Sequence, residues 1–281
     1  MSLITNNKAL INALKEAKDN KQTVGFVPTM GFLHEGHQSL IKKAVEENDI
    51  VVVSIFVNPT QFAPNEDFDS YPRDIERDYK MAREAGADIV YHPDIEDIYP
   101  NGAATFVEVE GDITKKLCGA SRPSHFKGVT TVVHILFNIV MPDRAYFGQK
   151  DAQQVIVVKK MVKDLHMKVD VVVCPIVREL DGLAMSSRNV YLSQEEREQA
   201  LVLNRALHEA QNKYKQGEVG AANLKAFIIE TIQTQPLAKI DYVEILDGDS
   251  LEEMKEIKKP VLVAVAVKFG KTRLIDNIFI D

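Results

Sequence analysis

Basic charge is in short supply in this chain. Its 281 residues carry 34 Lys and Arg against 41 Asp and Glu, a formal net charge of −7. Binding nucleic acid in bulk needs a basic face, so that class is set aside. An anionic small molecule is not excluded, because a local cluster of donors can oppose the global charge. Cysteine is scarce too. Cys118 and Cys174 are the only two and show no ligand-like spacing, so they are expected as reduced thiols in a core and not as a disulfide framework. The longest apolar run, GVTTVVHILFNIVM at 128–141, is too short for a bilayer span and contains His134 and Asn138. The chain opens MSLITNNKAL, without a charged-then-apolar leader. Internal repeats and low-complexity runs are missing as well. These absences predict a soluble, cytoplasmic protein with neither a membrane nor a nucleic acid as partner. What is present, 45% hydrophobic and 27% charged residues, suits a globular enzyme of one large or two ordinary domains.

The hydrophobic pattern alternates in period. Helical spacing marks 9–20, 36–48 and 73–86, the last stopped by Gly86. Between them lie the short apolar segments 23–27, 50–57 and 87–93. The near-continuous β-branched run IVVVSIFV suits a parallel strand buried on both faces. RAYFG at 144–148, a helix at 150–164 and KVDVVVCPIV at 168–177 continue the series. Strands alternating with helices of this length predict a doubly wound parallel sheet, an α/β fold. Such sheets bind ligands beyond the carboxyl ends of their strands. After residue 190 the pattern changes. A long helix is expected over 193–217, with Ser193 and Glu196 as its capping box, and a second near 220–234. Strands at 239–247, 260–270 and 272–280 then follow without crossover helices, which predicts an antiparallel sheet. The expected division is a first domain at 1–176 and a smaller α+β domain at 177–281.

Four segments carry side chains suited to chemistry. PTMGFLHEGH at 28–37 follows a strand and opens a helix. His34 and His37, three apart at a helix N-terminus, can face one ligand, and the free N–H groups there favour an anion. Gly31 and Gly36 would let backbone approach a phosphate closely. A metal half-site and a plain helix start remain alternatives. The metal reading needs further ligands, and His92, His125, His134, His166 and His208 offer no second pair, so no metal-ligand set is expected. FGQKDAQQ at 147–154 places Lys150 and Asp151 at a helix start, where Lys can meet phosphate and Asp a hydroxyl or simply a cap. GLAMSSRN at 182–189 sets two hydroxyls beside Arg188, a compact group of phosphate donors or a Ser-rich linker. FVNPTQFAPNEDFDSYPRD at 56–74 is a long loop at a strand end. Gln61 in it can both donate and accept.

The order of these segments matters more than any one of them. A strand, an HxGH helix start, a later Lys and then Ser-Ser-Arg is the layout of nucleotidyltransferase sites with HIGH-like and KMSKS-like motifs. PTMGFLHEGH, FVNPTQF, NEDFDSYPR, RPSHFKGV, FGQKDAQQ, IVRELDGLAMSSRNVYLS and VKFGKTRLIDN, in that unbroken order, closely resemble the pantothenate synthetase (pantoate–β-alanine ligase) family. The resemblance implies a Rossmann-like first domain, a C-terminal lid domain and a cytoplasmic homodimer. It implies that pantoate and ATP, with Mg²⁺, form pantoyl adenylate and pyrophosphate, and that β-alanine then gives pantothenate and AMP. Carried over by motif, Met30, Gly31, Phe32, Leu33, His34, Glu35, Gly36 and His37 line the ATP site, with His37 as a catalytic donor. Gly148, Gln149, Lys150, Asp151, Val177, Met185, Ser186, Ser187 and Arg188 complete it. His34, Lys150, Ser186, Ser187 and Arg188 join His37 in the catalytic set. Gln61 and Gln154 hold pantoate beside Met30, and Gln61 also meets β-alanine.

Three positions depart from the family pattern. Phe32 stands where Ala is usual, Gln149 where Glu is usual and Ser124 where Gly is usual. None removes a carried-over side chain, although Gln149 drops a negative charge beside Lys150 and Phe32 could narrow the pocket mouth. The rivals are a non-catalytic nucleotide-binding regulator on the same sheet and another adenylyltransferase acting on a mononucleotide. Paired Gln61 and Gln154 with the NPTQF loop speak against the second. Pyrophosphate release on adding ATP and pantoate would discriminate against the first.

Overall fold

The structure, a computed structural model, describes residues 1–64, 66–258 and 260–280. Asn65, which opens the NEDFDSYPR segment, and Asp281, the last residue of the expected second domain, lie outside the described residues. The chain divides into two compact units, Met1–Pro175 and Ile176–Asp281.

The first unit is built on six parallel strands: β1 (Ser2–Ile4), β2 (Val24–Thr29), β3 (Ile50–Ile55), β4 (Ile89–Tyr91), β5 (Arg144–Gly148) and β6 (Asp170–Cys174). Their helices are α1 (Asn7–Asp19), α2 (Glu35–Glu47), α3 (Ile75–Glu84), the short α4 (Ile95–Ile98) and α5 (Cys118–Ser121), α6 (His125–Val140) and α7 (Ala152–Asp164). The sheet order is β1-β4-β3-β2-β5-β6, parallel throughout. From β2 the chain winds one way through β3 and β4, then returns beside β2 as β5 and winds the other way. The order reverses between β2 and β5, and a crevice at their carboxyl ends is where this architecture binds ligands.

Both faces of the sheet are covered, which explains the unbroken apolar strands. Phe26, Val52, Tyr91 and Ala145 face one core with Leu10 and Leu14 of α1, Val129 and Leu136 of α6 and Val158 of α7. Their alternates Val27, Val51, Val53, Val90 and Tyr146 face the other with Ile41 of α2 and Ala82 of α3. Each strand feeds the two cores by its period of two. Helix α1 is capped by Asn6, whose side chain accepts from the Ala9 N–H at 2.9 Å. Helix α3 stops at Ala85, followed by Gly86 at φ 98°.

In the second unit the expected single helix over 193–217 is two, α8 (Gln194–Ala200) and α9 (Val202–Lys215). Leu201 separates them, and the buried face is taken up again by Leu203, Ala206 and Leu207. The capping box forms as expected: the Glu196 N–H donates to Ser193 Oγ and the Ser193 N–H to Glu196 Oε2. After α10 (Ala221–Gln233), strands β7 (Ala238–Asp247), β8 (Val261–Phe269) and β9 (Thr272–Ile280) form an antiparallel sheet in sequence order. The central strand β8 is buried along almost its whole length against α9 and α10. Cys118 and Cys174 are both free and buried. Among the described residues no helix is long and apolar enough to cross a membrane.

Candidate active site

Strand β2 ends at Thr29, and residues 30–34 turn the chain into α2. Thr29 Oγ1 donates to the Ser54 carbonyl at 2.7 Å and accepts from the Gly31 N–H at 3.1 Å. Gly31 and Phe32 then take positive φ, 84° and 49°. That shape is cheap for the glycine and disfavoured for the phenylalanine. A side chain holds it: Asp78, from the first turn of α3, accepts from the Phe32 N–H at 2.7 Å and the Leu33 N–H at 2.6 Å. The Arg77 guanidinium lies 4.7 Å above the Phe32 ring, so the aromatic departure from the family pattern sits under a cation.

His34 is the N-cap of α2 and His37 its third residue. Their rings lie 4.0 Å apart, so the two imidazoles do share one face. The His34 N–H donates to His37 Nδ1 at 3.3 Å. With Nδ1 an acceptor, the proton of the neutral His37 ring sits on Nε2, which is left as a donor. Burial, then the neighbouring His34, Lys150 and Arg77 charges, hold this imidazole well below its usual pKa of 6.5. The same field places Lys150, from the carboxyl end of β5, within electrostatic reach of His37. Lys150 Nζ is 4.0 Å from Asp151 Oδ1. Asp151 occupies the N-cap position of α7 without a side-chain cap bond.

The loop after β3 is not an ordinary solvated one. Residues Pro59–Gln61 form a 3₁₀ turn and Gln61 is buried. Its Oε1 accepts from Asn58 Nδ2 at 3.1 Å, and its Nε2 points to Met30 Sδ at 3.0 Å. Asn58 is itself fixed, with Oδ1 accepting from Tyr99 Oη at 2.7 Å. The amide of Gln61 therefore has an assigned orientation, and Met30 and Gln61 meet. Gln154 differs from its neighbour. Gln153 spends its amide on the Cys118 N–H and the Ile113 and Lys116 carbonyls at 2.9, 2.8 and 2.7 Å. Gln154 makes no side-chain hydrogen bond among the described residues.

The segment RPSHFKGV carries part of the family resemblance without any predicted role for its residues. In the structure it braces Gln61. Arg122 reaches Glu66 Oε2 at 2.6 Å, His125 Nε2 at 3.1 Å and the Gln61 carbonyl at 3.3 Å. A guanidinium only donates, so His125 Nε2 accepts and His125 Nδ1 carries the proton to the Gln61 carbonyl, 3.1 Å away. Gly128 lets α6 close onto the turn, since a Cβ there would lie 2.4 Å from the Thr60 carbonyl oxygen. Burial and the Arg122 charge push the His125 imidazole from 6.5 down to about 4. Between those pH values the unfolded chain binds more protons at His125 than the folded one, so stability rises with pH and is lost on acidification. The loss from this ring by pH 4 is on the order of 3 kcal/mol. Urea melts between pH 7 and 5 should show that slope, and His125→Gln should flatten it. An unchanged slope would assign the acid lability elsewhere.

In the second unit, residues 177–185 form a small hairpin. The Met185 N–H donates to the Val177 carbonyl at 3.0 Å, the Glu179 N–H to the Leu183 carbonyl at 2.8 Å, and Arg178 bridges Ala184. Arg178 grips buried Asp276 of β9 with two bonds, at 2.6 and 2.9 Å. Arg197 of α8 holds Glu179 and Asp181, each at 2.6 Å. Ser186 caps the 3₁₀ turn Ser187–Tyr191 by accepting from the Arg188 N–H at 3.3 Å, and its hydroxyl proton remains available to donate. So GLAMSSRN is a braced element and not a linker, and Asp276 gives the LIDN segment a purpose. Sequence reasoning overlooked Asp78, Asn58, Arg122, His125, Arg178 and Asp276. Asp78 is an acid with no outward sign of burial; the other five lay inside quoted motifs, Asp276 within VKFGKTRLIDN, which was the available signal.

Known proteins share this arrangement along almost the whole chain. The profile of the family described as pantoate-beta-alanine ligase matches residues 2–279. The pantothenate synthetase of Acetivibrio thermocellus is 59% identical over 99% of this chain and 98% of its own. That of Thermotoga petrophila is 55% identical over 99% of each. Among solved structures, pantothenate synthetase from Thermus thermophilus superposes with a TM-score of 0.95 at 46% identity, covering 99% of both chains. Pantoate-beta-alanine ligase from Francisella tularensis, complexed with beta-gamma ATP and beta-alanine, gives 0.82 at 37% identity, covering 99% of this chain and 97% of its own.

Proposed function

This chain belongs to the pantoate–β-alanine ligase family, and we propose which of its residues carry the reaction. The enzyme condenses pantoate with β-alanine, using ATP, by way of pantoyl adenylate. A carboxylate is a poor acyl donor, and adenylation turns one of its oxygens into a leaving group. A pantoate carboxylate oxygen attacks the α-phosphorus, the bond to the β-phosphate oxygen breaks, and pyrophosphate departs. The amine of β-alanine, once deprotonated, attacks the acyl carbon. The bond to the phosphate oxygen breaks and AMP leaves.

One observation carries the residue assignment. The segments bearing His34, His37 and Lys150 leave β2 and β5, the neighbouring strands between which the sheet order reverses. Charge builds on phosphate oxygens as the adenylate forms, and positioned donors stabilise it without a covalent enzyme nucleophile. We assign that work to His37 Nε2–H, His34 and Lys150, with the α2 N-terminus behind them. Gln61 and Gln154 hold pantoate, Met30 lines its apolar side, and Gln61 also meets β-alanine. Val177 and the Met185, Ser186, Ser187 and Arg188 loop are assigned to ATP as well, through hydroxyls and a guanidinium suited to phosphate oxygens.

No three His, Cys, Asp or Glu side chains are grouped to hold a metal among the described residues. Mg²⁺ keeps waters and is commonly bound through substrate phosphates with one or two carboxylates. Asp151, beside Lys150, is the carboxylate at hand. When bound, the ion neutralises phosphate charge; the donors named above orient the chain. The family resemblance further supports a cytoplasmic homodimer, which equilibrium sedimentation tests by mass.

Pantoate should support exchange of label between ATP and pyrophosphate in the absence of β-alanine. Exchange seen only when β-alanine is present would overturn the two-step scheme. A catalytically silent nucleotide-binding protein would show neither exchange nor pyrophosphate release.

A further inference from the structure

We propose that Asp78 is a positioning residue for nucleotide binding: its carboxylate fixes the backbone of residues 31–33 so that His34 and the start of α2 meet the phosphates of ATP. The proposal rests on the ATP reading of residues 30–37. Asp78 is 1% exposed, and each of its oxygens takes one backbone N–H of the turn, Oδ2 that of Phe32 and Oδ1 that of Leu33. The turn needs such a brace, because Phe32 holds a φ of 49° that its side chain disfavours. The carboxylate also fills the hollow under Gly31, where a Cβ would come within 2.9 Å of Asp78 Oδ2. Arg77 binds the same assembly from outside, with Nη1 3.7 Å from Asp78 Oδ1 and its guanidinium over the Phe32 ring. Two successive side chains of α3 thus grip one turn of the loop after β2.

Charge and geometry act in opposite directions here. A carboxylate beside a polyphosphate site repels the ligand, so removing its charge alone would tighten ATP binding. Removing its second acceptor oxygen strands a backbone N–H and loosens the turn, which weakens binding. Asp78→Asn in the full chain does both at once, and the sign of the change decides. ATP titration calorimetry and steady-state kinetics are expected to show Kd and KM for ATP raised roughly tenfold or more, with KM for pantoate nearly unchanged. Asp78→Glu, which retains two acceptor oxygens, should recover part of the loss. Folded Asp78→Asn with equal or tighter ATP binding overturns the proposal. If Asp78→Asn does not fold, Thr29→Val removes the Gly31 acceptor from the same turn and leaves the charge in place. It should also weaken ATP binding, and unaltered affinity there overturns the proposal. His37→Ala separates the two readings. Wild-type ATP affinity and turnover in that variant would sink the ATP assignment of the loop itself. A crippled His37→Ala beside an unaffected Asp78→Asn sinks only the role of Asp78.

Discussion

His37→Ala is expected to lower kcat about 10²–10³-fold, or ~3–4 kcal/mol, while KM for pantoate stays near its original value. The reason is the state of the ring. Its Nδ1 is taken by the His34 N–H, so the neutral imidazole presents Nε2–H and no other donor. That donor is fixed before the reaction begins; under the proposed assignment it meets the growing phosphate charge, so its loss would fall on the transition state and not on pantoate binding. The pH dependence follows. Because the His37 pKa is held well below 6.5, first by burial, the ring does not gain its proton as the pH falls through 6.5. A rate inflection near 6.5 that disappears in His37→Ala would contradict the neutral donor. Turnover close to wild type would return the stretch to a simple helix start. Tight stoichiometric zinc in the purified protein would instead favour a metal half-site.

Removing one hydroxyl from pantoate is expected to reduce kcat/KM by up to roughly 10⁴-fold, whereas removing one methyl costs only about 10–200-fold. A hydrophobic pocket senses little per carbon, while an absent hydroxyl strands an amide that has no substitute. Gln61 and Gln154 are unequal in this. Gln61 already gives its Oε1 to Asn58 and one Nε2–H to Met30 Sδ, so under the proposed assignment pantoate would find chiefly its other Nε2–H. The Gln154 side chain makes no hydrogen bond among the described residues, so under the proposed assignment both ends of its amide would serve pantoate. Gln154→Ala should therefore flatten the ratio of kcat/KM for pantoate over its deoxy analogue. If the ratio is unchanged, Gln154 does not read the hydroxyl and the pantoate pocket is misassigned.

The sheet was legible because β2, β3 and β5 lie between two cores and can hold almost nothing but apolar residues. Two elements were not. Strand β1 has three residues at the sheet edge, and both Ser2 and Leu3 are exposed, so no alternation announces it. Helix α6 is buried on nearly every side, including Thr130 and Thr131, whose hydroxyls bond back to the Phe126 and Lys127 carbonyls. Its polar stripe is thin, only Lys127, His134 and Asn138, so it registered only as an apolar run. The break in the helix expected over 193–217 has no sequence signal, because Leu201 between α8 and α9 keeps αR angles and is neither Gly nor Pro. For the site, residue types and order identified His34, His37, Gln61, Lys150 and Gln154 as candidates. Their supports were hidden, because a first-turn Asp in RDIERDYKMAREAG reads as a solvated acid until the turn it holds comes from 45 residues earlier in the chain.

The hairpin at 177–185, clamped to Asp276 and to Arg197, has a thermodynamic consequence for the loop that follows it. Fixing a backbone residue from an unfolded ensemble costs roughly 1–2 kcal/mol, and a slack Ser-Ser-Arg segment would incur that cost each time it engaged a ligand. Here the ordering belongs to the folding of the second unit, through ion pairs and backbone bonds that need no nucleotide. Binding then draws on a surface already in register, and its entropy change should carry little contribution from local chain ordering. Loosening the clamp moves that cost from folding to binding, so a lesion at Asp276, buried in β9, would surface calorimetrically as a less favourable binding entropy.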